Sequence, residues 1–237
     1  MLPSTLVMMM FQHYRVEFER RLVAQTARLR EFWSDFLQRP RSAAWAALHP
    51  YLRGKTAGDL VCSIPVALHT DAGPCTKRQS MNVVSWSSLL WGGEEKLTKY
   101  PIRTYLKTDS RGDNPSWVRI IEDFEALATG YLHGRPIAQD GRKTWRLILL
   151  VCKCDEEAKV QEFGMPSYSN PAACCIDCRC DDTGRPWTDL SRGAAWRPTE
   201  HFTAADWKSR FRLPLHPLVA SPFACERWFF SRADAFG

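Results

Sequence analysis

The sequence predicts an α/β fold built on a mixed sheet, and three observations predict it. Short apolar runs bounded by turn-forming residues recur through the first half of the chain and read as strands. A strongly amphipathic helix follows them. After the helix comes Trp145 to Cys152 (WRLILLVC), apolar on both faces apart from Arg146, which is the pattern of a central sheet strand. The order strand, strand, strand, helix, strand, helix lets the first and fourth strands lie side by side and parallel, both inside the sheet, in the spatial order 3-2-1-4.

The elements are justified in turn. Phe11 to Gln38 reads as a helix, because Phe18, Leu22, Leu29, Trp33 and Phe36 recur at helical spacings with Arg and Glu between them. Pro40 ends it, and Ala43 to Leu52 gives a shorter helix. The first strand is Ile64 to Thr70 (IPVALHT), closed by the turn-forming Asp71-Ala72-Gly73-Pro74. Met81 to Leu90 alternates, with Val84, Trp86 and Leu90 on one side, and reads as the second strand. Tyr100 to Thr108 is the third, placed towards an edge by Pro101. Asn114 then caps a helix with Pro115 at its first position. Trp117, Ile120, Ile121, Phe124, Leu127 and Tyr131 form its apolar stripe, and Gly130 and Gly134 mark its end. The fourth strand runs into Asp155 and a short helix, Glu156 to Phe163. From Gly164 onward Pro, Cys and Gly predict loops, with a small helix near Ala204 to Phe211 and no periodicity after Pro214.

Composition narrows the class. Of 237 residues, 45% are hydrophobic and 24% charged, which excludes a disordered chain. The net charge of +6 suits a polyanionic partner. No run approaches the roughly 18 apolar residues of a membrane span, and the apolar start lacks the basic region and cleavage site of a secretory leader. Cys174, Cys175, Cys178 and Cys180 stand too close together for a disulfide framework, so an intracellular, reducing compartment is expected.

Two carboxylates carry the chemistry. Asp71 follows the first strand and Asp155 the fourth, so neighbouring parallel strands would deliver both to one edge of the sheet, where open α/β sheets place their sites. Paired carboxylates suit Mg²⁺ or Mn²⁺, hard ions that keep water ligands for a phosphate to displace. The plainer reading makes Asp71 a turn residue and Asp155 a helix cap. His69, one residue from the strand end that precedes Asp71, is either an accessory to the metal or a polar strand residue.

The segments IPVALHTDAGP, VVSWSSLL, LILLVCKCDEEAKVQEFGMPSYSNPAACCIDCRC, PWTDL and AAWRPT together resemble transposase-derived proteins of the CACTA (En/Spm) superfamily, over roughly residues 60–199. The resemblance implies a ribonuclease-H-like fold and metal-dependent DNA strand cleavage and transfer, with DNA as partner and the nucleus as location. Position by position, Asp71 matches the first acid of that family, Asp155 the second, and Cys175 with Cys178 its cysteine pair. The third acid has no counterpart in a recognisable motif. Asp206, Glu226 and Asp234 are the late candidates, and Glu122 or Glu125 on the middle helix would be an additional ligand. The implied organisation is an N-terminal helical segment (1–58), an incomplete ribonuclease-H-like core (59–165), a Cys/Pro-rich insertion (166–212) and an irregular tail (213–237).

Cys175-x-x-Cys178 has the spacing of half a zinc site, with His201 as the distant candidate ligand. Trp187 and Trp196, near Arg185, Arg192 and Arg197, read either as base-stacking rings beside phosphate contacts or as anchors for a long loop. Cys152 and Cys154 belong to the strand. Two functional readings stand: a metal-dependent DNA-processing core, or a non-catalytic nucleic-acid-binding or interaction domain descended from one. The dullest alternative is an unrelated α/β domain in which both aspartates are turn residues.

Overall fold

The computed structural model describes residues 1–74, 76, 79–90, 99–106, 115–165, 188–189, 191–195, 208–209, 215–225 and 227–230. Along the chain come helices α1 (Pro3–His13), α2 (Arg15–Phe18), a π-turn (Glu19–Val23), α3 (Thr26–Gln38) and α4 (Pro40–Leu48). Strands β1 (Ser63–Pro74), β2 (Ser80–Ser88) and β3 (Tyr100–Leu106) follow, then α5 (Pro115–Thr129). Two small hairpins, β4 (Tyr131–Leu132) with β5 (Arg135–Pro136) and β6 (Gln139–Asp140) with β7 (Lys143–Thr144), lead into β8 (Arg146–Cys154) and α6 (Glu156–Gln161). A short helix α7 (Pro217–Ala220) and a 3₁₀ turn (Arg227–Phe230) close the description.

The four long strands form one mixed sheet in the order β3-β2-β1-β8. β1 runs antiparallel to β2, and β2 to β3, while β1 and β8 are parallel. The α/β class and the 3-2-1-4 order are therefore as the pattern predicts. The parallel pair needs a long crossover, and α5 with the two hairpins supplies it. One expectation fails. β8 does not lie inside the sheet but at its edge among the described residues. It is apolar on both faces because its edge is covered: the Nε2–H of His49 donates to the Leu149 carbonyl at 3.2 Å, and the 3₁₀ turn packs on the strand.

β1 is longer than predicted. Asp71 to Pro74 continues the strand instead of turning, since it pairs with Val83 to Ser80 of β2. The single helix expected over Phe11 to Gln38 is broken. Its π-turn ends at Ala24, which has a φ of +60°, and the Leu22 carbonyl accepts from the Ser88 hydroxyl at 2.7 Å. A tertiary hydrogen bond has replaced a helical one, and the bend lets Phe18, Leu22 and Val23 as well as Leu29, Trp33 and Phe36 reach the core. The apolar start, which patterning left without an element, forms α1. It is tied to α5 by the backbone N–H of Ser4, which donates to Asp123 Oδ2 at 2.8 Å, and by the Ser4 hydroxyl, which donates to Oδ1.

α5 buries Trp117, Ile120, Ile121, Phe124 and Leu127 as its stripe predicts. Tyr131 departs from that stripe: Gly130, at φ +84°, ends the helix, and Tyr131 turns outward into β4. The C-terminal stretch, without legible periodicity, still delivers Leu218, Val219, Phe223, Phe229 and Phe230 to the core. The small helix expected near Ala204 to Phe211 falls largely outside the described residues.

Candidate functional site

Register places the two aspartates. The last β1–β8 pair is Thr70 with Cys154, so Asp71 and Asp155 are the next residue on each strand. Adjacent strands stand about 4.8 Å apart, which makes these two positions lateral neighbours. Asp155 is still extended, with φ −72° and ψ 171°. Alternation then puts Asp71 on the sheet face of Ala67 and His69, and Asp155 on the same face with Val151 and Lys153. Both aspartates are solvent-exposed. Acids distant in sequence thus stand side by side where the pairing of two parallel strands ends.

Their surroundings differ. Asp155 caps α6: its Oδ1 accepts from the backbone N–H of Ala158 at 2.6 Å. The helix-cap role therefore holds, and it leaves Oδ2 for other chemistry. Asp71 is a strand residue, not the turn residue that its Ala-Gly-Pro context suggested. Lys153, paired with His69, places a cation on the same face. His69 is buried two residues deeper, with Nε2 2.8 Å from the Ser87 hydroxyl. That contact is the behaviour of a polar strand residue.

Other predicted ligands are not brought to this edge. Glu122 is exposed on the middle of α5, and Glu125, half-buried there, is held above the usual carboxylate range by burial and by Glu122. The Trp117 end of α5 lies at the carboxyl end of β8, where the indole bonds Glu162. At 1.5 Å per residue, Glu122 and Glu125 sit about 8 and 12 Å further along the helix axis. Asp206, Glu226, Asp234, Cys174, Cys175, Cys178, Cys180 and His201 lie outside the described residues, as do Arg185, Trp187, Trp196 and Arg197. Among the described residues no three His, Cys, Asp or Glu side chains gather as a metal-binding group. Cys152 is fully buried, and burial followed by the neighbouring Cys154 pushes its thiol well up, so it is a core residue and no thiolate ligand.

A second polar group went unnoticed in the sequence. Glu162, at the end of α6, is 6% exposed. Its Oε1 accepts from Trp117 Nε1 at 2.8 Å and lies 3.7 Å from His216 Nε2. Burial pushes the carboxyl up, but His216, Tyr105 and Trp117 outweigh it and hold it below the ordinary value. The His216 Nδ1 accepts from the Leu218 N–H at 3.1 Å, so the proton of the neutral ring sits on Nε2, facing Glu162. With Nδ1 bonded to the Leu218 N–H and Trp117 and Phe163 edge-on around the ring, His216 fastens the C-terminal segment to the core. The His-Pro-Leu sequence of a helix start was the available signal for it.

No protein-family model, curated protein or solved structure matches this chain. Among the described residues no helix is long and apolar enough to cross a membrane.

Proposed function

We propose that this chain is a ribonuclease-H-like, transposase-type domain that cuts or joins DNA strands with Mg²⁺ or Mn²⁺ held at Asp71 and Asp155. One observation carries the reading: two aspartates 84 positions apart in sequence occupy matching positions, one residue past the last pair of parallel neighbours β1 and β8. The 3-2-1-4 strand order supports it as well.

The donor set fits a hard divalent ion. Asp71 offers both oxygens and Asp155 the one not capping α6, on a face open to solvent where waters complete the shell. When bound, the ion supplies charge neutralisation at a phosphate and a more acidic water. Asp71 and Asp155 hold and orient it. The cap on Ala158 fixes the Asp155 rotamer, and Lys153 adds positive charge for a phosphate oxygen on the same face. A nuclear location and a zinc site at Cys175 and Cys178 belong to the same proposal.

A second reading, a non-catalytic nucleic-acid-binding domain, is favoured by one specific fact: the described residues bring no third acid to the pair. Nicking of labelled duplex DNA with Mg²⁺ or Mn²⁺ separates the two. The enzyme reading expects activity that falls on the order of 100-fold or more in Asp71→Asn and in Asp155→Asn. Activity that survives both changes sinks the site, and DNA binding without nicking in the unaltered chain gives the second reading. Zinc measured in purified protein and lost in Cys175→Ser would carry the zinc assignment.

A further inference from the structure

The opposite end of the sheet carries positive charge that the aspartate edge does not use. Between α5 and β8 the chain makes two tight hairpins. His133 and Gly134 (φ +50° and +76°) turn the first, and Gly141 (φ +57°) turns the second. Left-handed residues at these positions match the twist of paired strands. The hairpins stand on a fixed base. Ile137 and Ala138 between them are buried, the Ile137 N–H donates to the Gly130 carbonyl at 2.9 Å, and the Trp145 N–H donates to the Ala138 carbonyl at 2.8 Å.

Their outer residues are cationic. His133, Arg135, Arg142 and Lys143 are all exposed, and Arg135, Arg142 and Lys143 make no ion pair among the described residues. The acids nearby are already engaged. Asp140 meets Arg15 at 2.8 Å, Glu19 meets the same guanidinium at 2.7 Å, and Asp59 accepts from the backbone and hydroxyl of Thr56. Arg146 links this end to the loop bearing exposed Arg53 and Lys55, through a 2.9 Å bond to the Asp59 carbonyl. Two exposed rings, Tyr14 beside Arg15 and Tyr131 at the start of the first hairpin, stand 57% and 48% exposed.

We propose that this end is a nucleic-acid-binding surface, with Arg135, Arg142 and Lys143 meeting phosphates and Tyr131 offering a ring for an unpaired base. The choice of nucleic acid over an acidic protein rests on the reading given above and on the exposed rings among the cations. It does not require the aspartate pair to bind metal. The nine residues of β8 separate the two ends by about 30 Å, so a single nucleic acid reaching both must span about nine base steps.

The test is equilibrium binding of the full chain to a labelled DNA several helical turns long, duplex and single-stranded, in EDTA across a salt series. The unaltered chain is expected to bind, with affinity falling log-linearly as salt rises. Arg135→Glu/Arg142→Glu/Lys143→Glu should weaken binding at least about tenfold and lessen the salt slope by about 2 to 3. Tyr131→Ala should weaken single-strand binding about tenfold and leave duplex binding unchanged. Binding in EDTA needs no metal at Asp71 and Asp155, so a failed nicking assay leaves this proposal standing. Unchanged affinity and slope in the triple variant would falsify it. So would an unaltered chain that binds no DNA, or displacement of DNA by polyglutamate at equal charge, which gives the surface to an acidic protein.

Discussion

The carboxyl edge of the sheet and the buried layer beside it hold the same kinds of side chain in opposite circumstances. At the edge, Asp71 and Asp155 are exposed, and among the described residues the cap on Ala158 is the one side-chain hydrogen bond that either makes. In the buried layer, Asp123 is locked to Ser4, Glu162 to Trp117 and His216, and His49 to Leu149. A carboxylate held against fixed donors in a dry site serves structure. A carboxylate open to water at a strand edge has oxygens that the fold does not use. Identity of residue type therefore says little about role here, and placement says most of it.

Substitutions break the comparison in a graded way. Glu162→Ala takes the acceptor from buried Trp117 Nε1 and the facing carboxylate from His216, and should cost about 3 kcal/mol in urea unfolding. A cost under about 1 kcal/mol would mean that the C-terminal segment is held by its apolar contacts alone.

Acid tests the histidine of the same layer. Burial lowers His49 from its ordinary value to about 4, although its bond to the Leu149 carbonyl works the other way. The unfolded chain takes up this proton near pH 6.5, the folded chain only near 4. Stability from His49 is therefore full above about pH 6.5 and declines as pH falls towards 4, by about 3 kcal/mol. Asp123 and Glu125, held up by burial, act in the opposite sense, gaining as pH falls. His49→Gln should flatten the descent between pH 6.5 and 4.5 while lowering stability at neutral pH. An unchanged descent would remove His49 as its source.

The smallest stability effects belong to the edge. Asp155→Ala loses the cap of α6 and should cost about 1 kcal/mol, whereas Asp155→Asn keeps a capping oxygen. Asp71→Ala should stay within about 0.5 kcal/mol. These are the residues whose change is expected to be largest in nicking. If Asp71→Ala unfolds the chain, the division between structural and chemical carboxylates collapses.

Much of the scaffold was legible because it is periodic. The alternation around Val84 and Trp86, the stripe of α5 and the double-faced run into Asp155 each need only local spacing. The break at Ala24 was not legible, since its cause is the Ser88 hydroxyl, 66 positions from the Leu22 carbonyl that it bonds. Neither was the continuation of β1 through Asp71-Ala72-Gly73, where pairing with β2 overrules turn-forming composition. The edge position of β8 escaped notice because cover from His49 and the 3₁₀ turn imitates the burial of a central strand. The pairing of Glu162 with His216 gave no signal either: His-Pro-Leu marks a helix start, but a buried polar pair 54 positions apart has no period.

The sequence by itself determined the kinds of element, their order and the candidate acids at two strand ends, because apolar spacing reports which face of each element meets the core. Tertiary structure alone decided that those strands are parallel neighbours in matching register, and which acids are sunk in hydrogen bonds and which remain open to water. Such outcomes depend on partners far along the chain, whose pairing energy no local window of sequence contains.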